Sequence, residues 1–315
     1  MQKGSFYIMK PLVLITAGDP LGIGPEIVVK ALQNARVQRA CRPLVIGETT
    51  SLARAGLTDN LAALIGLDTS CPLNFKKRVP TQAGGLVSFR AVELGIKLAL
   101  RYHAPLVTAP ISKQSWALNQ IPFTGHTELL RARTDADGLM MFISGNLRCA
   151  LASEHFAIAD LPRVLTKTRV EKSILHFVQA LQNLGIKNPQ IALCALNPHG
   201  GDNGQFGTEE KRVLTPALRA LSRKGLLVDG PLPTDTAWTR HIKGHYDGLL
   251  CLYHDQALTP LKLAARWPIV HLTAGLPFLR TSPAHGTAFD IAGRNQADPE
   301  SMVSAILFAA RAQRI

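Results

Sequence analysis

The sequence predicts an α/β protein built on a largely parallel sheet, and three observations carry that expectation. Short apolar runs alternate with helical stretches along the whole chain. The runs are continuously apolar rather than alternating, as strands buried on both faces are. Three of them lead within a few residues to a histidine, at the place where open α/β sheets collect ligands.

Taken in order, Leu12 to Ala17 is the first apolar run. It is too short to cross a bilayer, and Met1 to Lys10 before it has no apolar signal core, so it reads as a strand behind a dispensable extension. Gly18 to Glu26 turns the chain into a helix over Glu26 to Asn34, and Pro25 suits the first turn, where its missing N–H would be unpaired anyway. Pro43 to Ile46 is the next strand; a helix over Val87 to Tyr102 and a strand over Pro105 to Thr108 follow. Further along, strands at Cys149 to Ser153, Ile191 to Leu196 and Gly248 to Tyr253 alternate with helices at Thr168 to Leu184 and Glu209 to Lys224. A helix over Pro299 to Arg311 closes the chain. No repeat, low-complexity tract or long linker is visible. The expected division is one lobe of residues 1–130 with 268–315 and a middle lobe of 131–267.

Of 315 residues, 46% are hydrophobic and 18% charged, which marks a globular, soluble protein rather than a disordered one. The formal charge is +13, yet no dense Lys/Arg run and no aromatic-basic alternation occurs. A basic surface that attracts anionic metabolites is therefore expected, with no nucleic-acid partner and no membrane. The five cysteines lack C-x-x-C spacing and three lie inside apolar strands, which predicts a reduced, cytoplasmic protein.

The strand-end histidines are His155, His199 and His254. One such histidine is adequately explained as a strand cap, but three in the same context point to a metal, because neighbouring strand ends unite imidazoles that are far apart in sequence. Neutral imidazole suits Zn, Co, Ni or Fe, and three protein ligands with a position left open is the arrangement of a catalytic metal.

Five further segments carry chemistry. The Gly18 to Glu26 turn lets backbone approach a ligand, but it fits neither the dinucleotide fingerprint nor the P-loop, and a plain tight turn competes. Pro122 to Glu128 gathers Thr124, His126 and Thr127 as donors for an oxyanion, with a helix cap at Thr124 or Thr127 as the simpler use. Gly230 to Thr236 presents Asp235, either an acid–base group or a turn former. His254, Asp255 and Lys262 together suit a phosphorylated acid, though a solvated helix face also accounts for Lys262. Thr273 to Gly293 reads as a long ordered binding loop in which Arg280 can grip phosphate or carboxylate through two parallel N–H bonds.

Together these phrases resemble the NAD-dependent 4-hydroxythreonine-4-phosphate dehydrogenases of pyridoxal phosphate synthesis and their relatives acting on four-carbon sugar-acid phosphates. GDPLGIGPE, PFTGHTE, LNPHGG, GPLPTDT, YHDQ, GLPFLRTS and HGTAFDIAG stand in the family's order, from about Val13 to the C-terminal helix. The resemblance implies a fold similar to isocitrate and isopropylmalate dehydrogenases: two α/β/α lobes, an active site in the cleft between them, and a homodimer. It implies that His155, His199 and His254 hold one divalent metal (Zn, Mg or Co) in a site shared between subunits. It also makes His126, Thr127, Lys262 and Arg280 substrate contacts, chiefly for phosphate and carboxylate. His285, Gly286, Thr287 and Asp290, with Asp298 just beyond, become the adenosine side of an NAD site. Asp290 stands where NADP-using relatives place a lysine; its carboxylate can accept from both ribose hydroxyls and repels a 2′-phosphate, so NAD is expected.

Two positions depart from the family pattern. His271 replaces the Asn of a V-N-x-T phrase, so it becomes the candidate contact at that end of the substrate. His155 sits in Glu154-His155-Phe156-Ala157-Ile158 instead of a Thr-His-aliphatic-Pro-Leu setting, and Glu154 either orients the ligand or faces solvent.

The implied reaction is oxidation of the secondary alcohol of 4-phosphooxy-L-threonine by NAD, then decarboxylation of the β-keto acid to 3-amino-2-oxopropyl phosphate. Asp235 and Asp255 are the alternative bases, with Lys262 assisting. Erythronate or threonate 4-phosphate is the alternative substrate, which His271 makes serious. From other classes, a metal-dependent hydrolase or isomerase without NAD, or a non-catalytic anion-binding module, are the rivals.

Overall fold

The structure, a computed structural model, describes residues 10–312, and the extension expected over Met1 to Lys10 lies outside them except for Lys10. Its strands, in chain order, are β1 (Leu12–Thr16), β2 (Arg42–Glu48), β3 (Ala63–Leu67), β4 (Leu106–Thr108), β5 (Leu139–Ser144), β6 (Leu147–Leu151), β7 (Ile191–Cys194), β8 (Val228–Leu232), β9 (Gly248–Cys251), β10 (Val270–Ala274) and β11 (Arg280–Pro283). They divide between two compact units: the first runs to Asp135 and resumes at Pro277, the second is Ala136–Leu276.

In the first unit the strand order is β3-β2-β1-β4-β11, with every pairing parallel. Val13, Leu14 and Ile15 of β1 are wholly buried, as a central strand covered on both faces requires. The helix Gly24–Gln33 carries Pro25 in its first turn and buries Ile27, Val28, Val29, Ala31 and Leu32. The helix Gln82–Tyr102 starts one turn earlier than the apolar periodicity predicts. Its start is specified by a cap instead: Thr81 accepts from the Gly84 N–H at 3.1 Å. The helix Glu300–Ala312 packs on β11, β1 and β4.

In the second unit the order is β10-β5-β6-β9-β7-β8. β5 pairs antiparallel with β10 and β6, whereas β6, β9, β7 and β8 run parallel. Residues 268–276, assigned from the sequence to the other lobe, fall here because β10 is paired with β5 along its whole length. Residues 131–135 belong to the first unit, since the helix His126–Thr134 continues to Asp135, which ends it in a left-handed conformation. The core is formed by Phe142, Leu151, Cys194, Leu249 and Trp238, among others. Gly248 is required where it stands: a Cβ there would lie 2.4 Å from the Phe177 ring.

Two expected elements change form. The Glu209 to Lys224 helix is split into a wide π-type turn, Glu210–Leu214, and an α-helix, Thr215–Ser222, because Pro216 has no N–H to continue the ladder. The loop expected over Thr273 to Gly293 instead holds the end of β10 and all of β11. All five cysteines are free thiols, four of them buried. Among the described residues no helix is long and apolar enough to cross a membrane.

Candidate active site on a parallel strand edge

Because β6, β9, β7 and β8 are adjacent and parallel, their carboxyl ends share one edge of the second unit's sheet. The residues that follow those four ends include His155, His254, His199 and Asp235. Pairing between β6 and β9 continues past the strands, with Ala152 N donating to Cys251 O at 2.8 Å and Ser153 N to Leu252 O at 3.2 Å. His155 and His254 thereby come to a ring-centroid separation of 5.5 Å. His254 opens the helix His254–Ala264, and its Nδ1 lies 2.7 Å from Asp255 Oδ1. A proton on Nδ1 facing that carboxylate leaves the Nε2 lone pair available to a metal.

His199 stands differently. It begins a run of left-handed backbone, with φ of 54° at His199, 71° at Gly200, 82° at Gly201, 40° at Asp202 and 57° at Asn203. Left-handed runs cost about 1–2 kcal/mol per non-glycine residue, so something must hold this one. Glu210 does so: Oε1 accepts from the N–H groups of Leu196 and Asn197, both at 2.8 Å, and Oε2 from Asn197 Nδ2 at 2.9 Å. Gly201 closes against the same carboxylate, a Cβ there lying 2.9 Å from Glu210 Oε2. Among the described residues, no three His, Cys, Asp or Glu side chains of one chain stand close enough to hold a metal. The chain brings His155 beside His254, and His199 makes no three-residue metal-holding group with them.

A second buried side chain ties the strand ends together. Gln256 accepts from Leu252 N at 2.6 Å and donates to Ala195 O at 2.7 Å and Thr234 Oγ1 at 2.8 Å. One amide thus fixes the segments after β9, β7 and β8 relative to each other. Sequence reasoning missed Gln256 and Glu210 as site-building groups. Glu210 was read as part of a helix, although an acidic pair directly after a glycine-rich loop is itself a signal. Asp235 is exposed in the first turn of the helix Thr234–Ile242, where its Oδ1 accepts from Thr236 N at 2.7 Å. Lys262 lies eight residues beyond His254 on one helix, which places it about 12 Å further along the axis.

Among the substrate candidates, Gly125 rather than a threonine caps the helix His126–Thr134. Thr124 instead donates to Glu128 through N at 2.7 Å and Oγ1 at 2.6 Å, and these bonds hold the Glu128 carboxyl below its usual range. That frees Thr127, in the first turn, from capping. His126 packs against Trp116 at 6.0 Å between ring centroids. Arg280 is buried at the start of β11 and donates through Nη2 to Thr108 Oγ1 at 2.7 Å. Burial pushes its guanidinium down to about 9. It is still a cation at neutral pH, and a bound anion would offset that desolvation. His271 stacks on Phe142 of the neighbouring strand at 5.0 Å.

The glycine-rich turn and the HGTAFDIAG segment meet within the first unit. Ile23 N donates to Thr287 O at 2.9 Å, and a Cβ on Gly22 would fall 2.9 Å from that oxygen. Glu26 accepts from Gly293 N at 3.2 Å and Ala297 N at 3.0 Å. Asp19 is structural, buried between Leu21 N and Ser115 Oγ, and burial raises its carboxyl. His285, Gly286 and Asp290 are exposed on the segment so braced, and Thr287 is half-buried. Asp298 Oδ1 accepts from Glu300 N at 2.9 Å at the start of the last helix.

Known proteins are similar to this chain over nearly its whole length. A 4-hydroxythreonine-4-phosphate dehydrogenase of Geobacter metallireducens is 40% identical, over 97% of this chain and 96% of its own length. A protein of Symbiobacterium thermophilum, provisionally named D-threonate 4-phosphate dehydrogenase, is 37% identical over 96% of both. The crystal structure of 4-hydroxythreonine-4-phosphate dehydrogenase from Klebsiella pneumoniae superposes with a TM-score of 0.87 at 33% identity, covering 99% of this chain and 100% of that one. Fold and relatives define a class first, an α/β dehydrogenase acting on a secondary alcohol. The family model for pyridoxal phosphate biosynthetic protein PdxA matches residues 28–309, and the chain belongs to that family.

Proposed function

We propose that this protein oxidises the secondary alcohol of 4-phosphooxy-L-threonine with NAD, and that the 3-keto acid then loses carbon dioxide to give 3-amino-2-oxopropyl phosphate. The observation that carries the reading is the approach of His155 to His254, with Asp255 on the second ring, at the edge that also bears Asp235. Two imidazoles with that spacing and one fixed tautomer fit a divalent cation, and His199 is the third donor. When bound, Zn, Mg or Co would supply Lewis acidity at an oxygen of the substrate, and NAD would take the hydride.

The rest falls to the chain's own groups. Asp255 orients His254, which leaves Asp235 as the base that takes the hydroxyl proton. Lys262 is a point charge for phosphate, while Arg280 and His126, with Thr127, bind carboxylate and phosphate oxygens. His285, Gly286, Thr287 and Asp290 line the adenosine contact, and the Asp290 carboxylate favours NAD over NADP. The active form is a homodimer in which a second copy completes the metal set. Exposed Phe156 and Ile158 beside His155, and Phe206 beyond His199, are apolar surface for such a partner.

A second reading keeps the machinery and changes the acid to D-threonate or D-erythronate 4-phosphate. His271 and the provisionally named relative support it. The test is NADH production from these phosphorylated acids with defined metals. The expected result is turnover fastest with 4-phosphooxy-L-threonine and reduced at least about 100-fold in His254→Ala. Full activity of a metal-stripped His254→Ala protein sinks the metal reading, and faster turnover of threonate or erythronate 4-phosphate selects the second substrate.

A further inference from the structure

The first unit holds a cavity of about 430 Å³ that none of the catalytic or metal-binding residues named above lines, within the size range of small-molecule sites. Its walls bear three cations, Lys30, Arg54 and Arg78, against one carboxylate, Glu26. Glu26 is already committed: it accepts from Gly293 N and Ala297 N and pairs with Lys30 at 2.9 Å. Both guanidiniums lie on Phe75, Arg54 at 4.7 Å and Arg78 at 5.2 Å from the ring centroid. Arg54 has no hydrogen bond or ion pair among the described residues, and Arg78 donates only to the carbonyls of Phe75 and Leu21. Burial and the Arg54 charge together hold Arg78 below its ordinary range. Two forks of like charge are thus gathered on one ring with no carboxylate between them, which is unfavourable until an anion joins them.

We propose that this cavity binds a phosphate ester, with Arg54 and Arg78 gripping the phosphate and Phe75 covering the organic portion. The phosphate is either one of the coenzyme's own, since Gly293 and Asn295 of the adenosine segment form part of the wall, or that of a separate phosphorylated metabolite. The inference does not depend on which acid the enzyme oxidises.

Calorimetric titration of the full-length protein with inorganic phosphate tests it, comparing wild type with Arg54→Ala, Arg78→Ala and Arg54→Lys. The expected result is the loss of one phosphate per chain, or weakening by about tenfold or more, in each alanine variant, with partial recovery in Arg54→Lys. Arg54 is exposed, so its variants keep the wild-type melting temperature, and Arg54→Ala alone decides the matter if Arg78→Ala fails to fold. Repeating the titration with saturating NAD separates the sources: displacement of the phosphate assigns the cavity to the coenzyme, and simultaneous binding assigns it to a second metabolite. Phosphate binding with unchanged stoichiometry and affinity in Arg54→Ala overturns the proposal.

Discussion

Glu210 is a buried carboxylate that accepts three hydrogen bonds from the segment leading into a left-handed turn, and His199 is the first residue of that turn. Truncation to alanine strands the N–H groups of Leu196 and Asn197, each an unpaired buried donor costing about 1–3 kcal/mol. The turn then has less to oppose its own strain, and relaxation moves His199. Glu210→Ala is expected to lower stability by about 3 kcal/mol in urea unfolding and metal affinity by about 10- to 100-fold, the usual cost of losing a group that orients a ligand. Glu210→Gln keeps one acceptor oxygen and falls between. Metal affinity equal to wild type in Glu210→Ala would show that the turn holds without its anchor. The position of the three histidines just past strand ends was legible in the sequence because each follows an apolar run; the bonding of Glu210 and Gln256 was not. Their importance comes from which backbone groups they reach across the fold, and no local spacing encodes that.

At the level of elements, β1, β6, β7 and β9 could be read directly from their apolar runs, and so could most helices. The edge strands could not: β3 is half exposed and β8 reads Val-Asp-Gly-Pro-Leu, so neither shows the buried pattern. β5 was missed although wholly buried, and Gly145-Asn146 was its signal, a two-residue turn between Ser144 and Leu147. The helix Thr234–Ile242 carries a titration that the active site does not use. His241 is buried, with Nδ1 2.9 Å from Tyr246 O and Nε2 accepting from Arg148 N at 3.1 Å, so it is neutral with its proton on Nδ1. Burial pushes its pKa below the ordinary 6.5. Below that value the unfolded chain takes up a proton that the folded chain refuses, so the stabilisation is complete above 6.5 and is lost as pH falls toward the folded-state pKa. His241→Leu should therefore melt lower than wild type at about pH 7, by the equivalent of about 1–3 kcal/mol. The gap should narrow at about pH 5. A melting-temperature difference that is flat with pH would show that His241 is not the titrating group.

For the whole molecule, the decisive question is how many chains build one metal site. One chain brings the His155 and His254 rings to a centroid separation of 5.5 Å, and among the described residues no group of three His, Cys, Asp or Glu could hold a metal. If the missing donor is His199 of a second copy, two inactive variants can repair each other. In a mixed dimer of His199→Ala and His254→Ala chains, the first contributes an intact His155 and His254 pair and the second an intact His199, so one of the two sites is complete. With random exchange about half of the dimers are mixed and each has one working site, which gives about a quarter of wild-type activity. A mixture of His155→Ala and His254→Ala should stay inactive, because neither chain then carries the intact pair. Subunit exchange is verified independently by mass-tagging one chain. If the first mixture stays inactive despite proven exchange, all three histidines act within one chain, and the shared site is refuted. Recovery in the second mixture would instead divide His155 and His254 between subunits, and their proximity within one chain would not be the functional pairing.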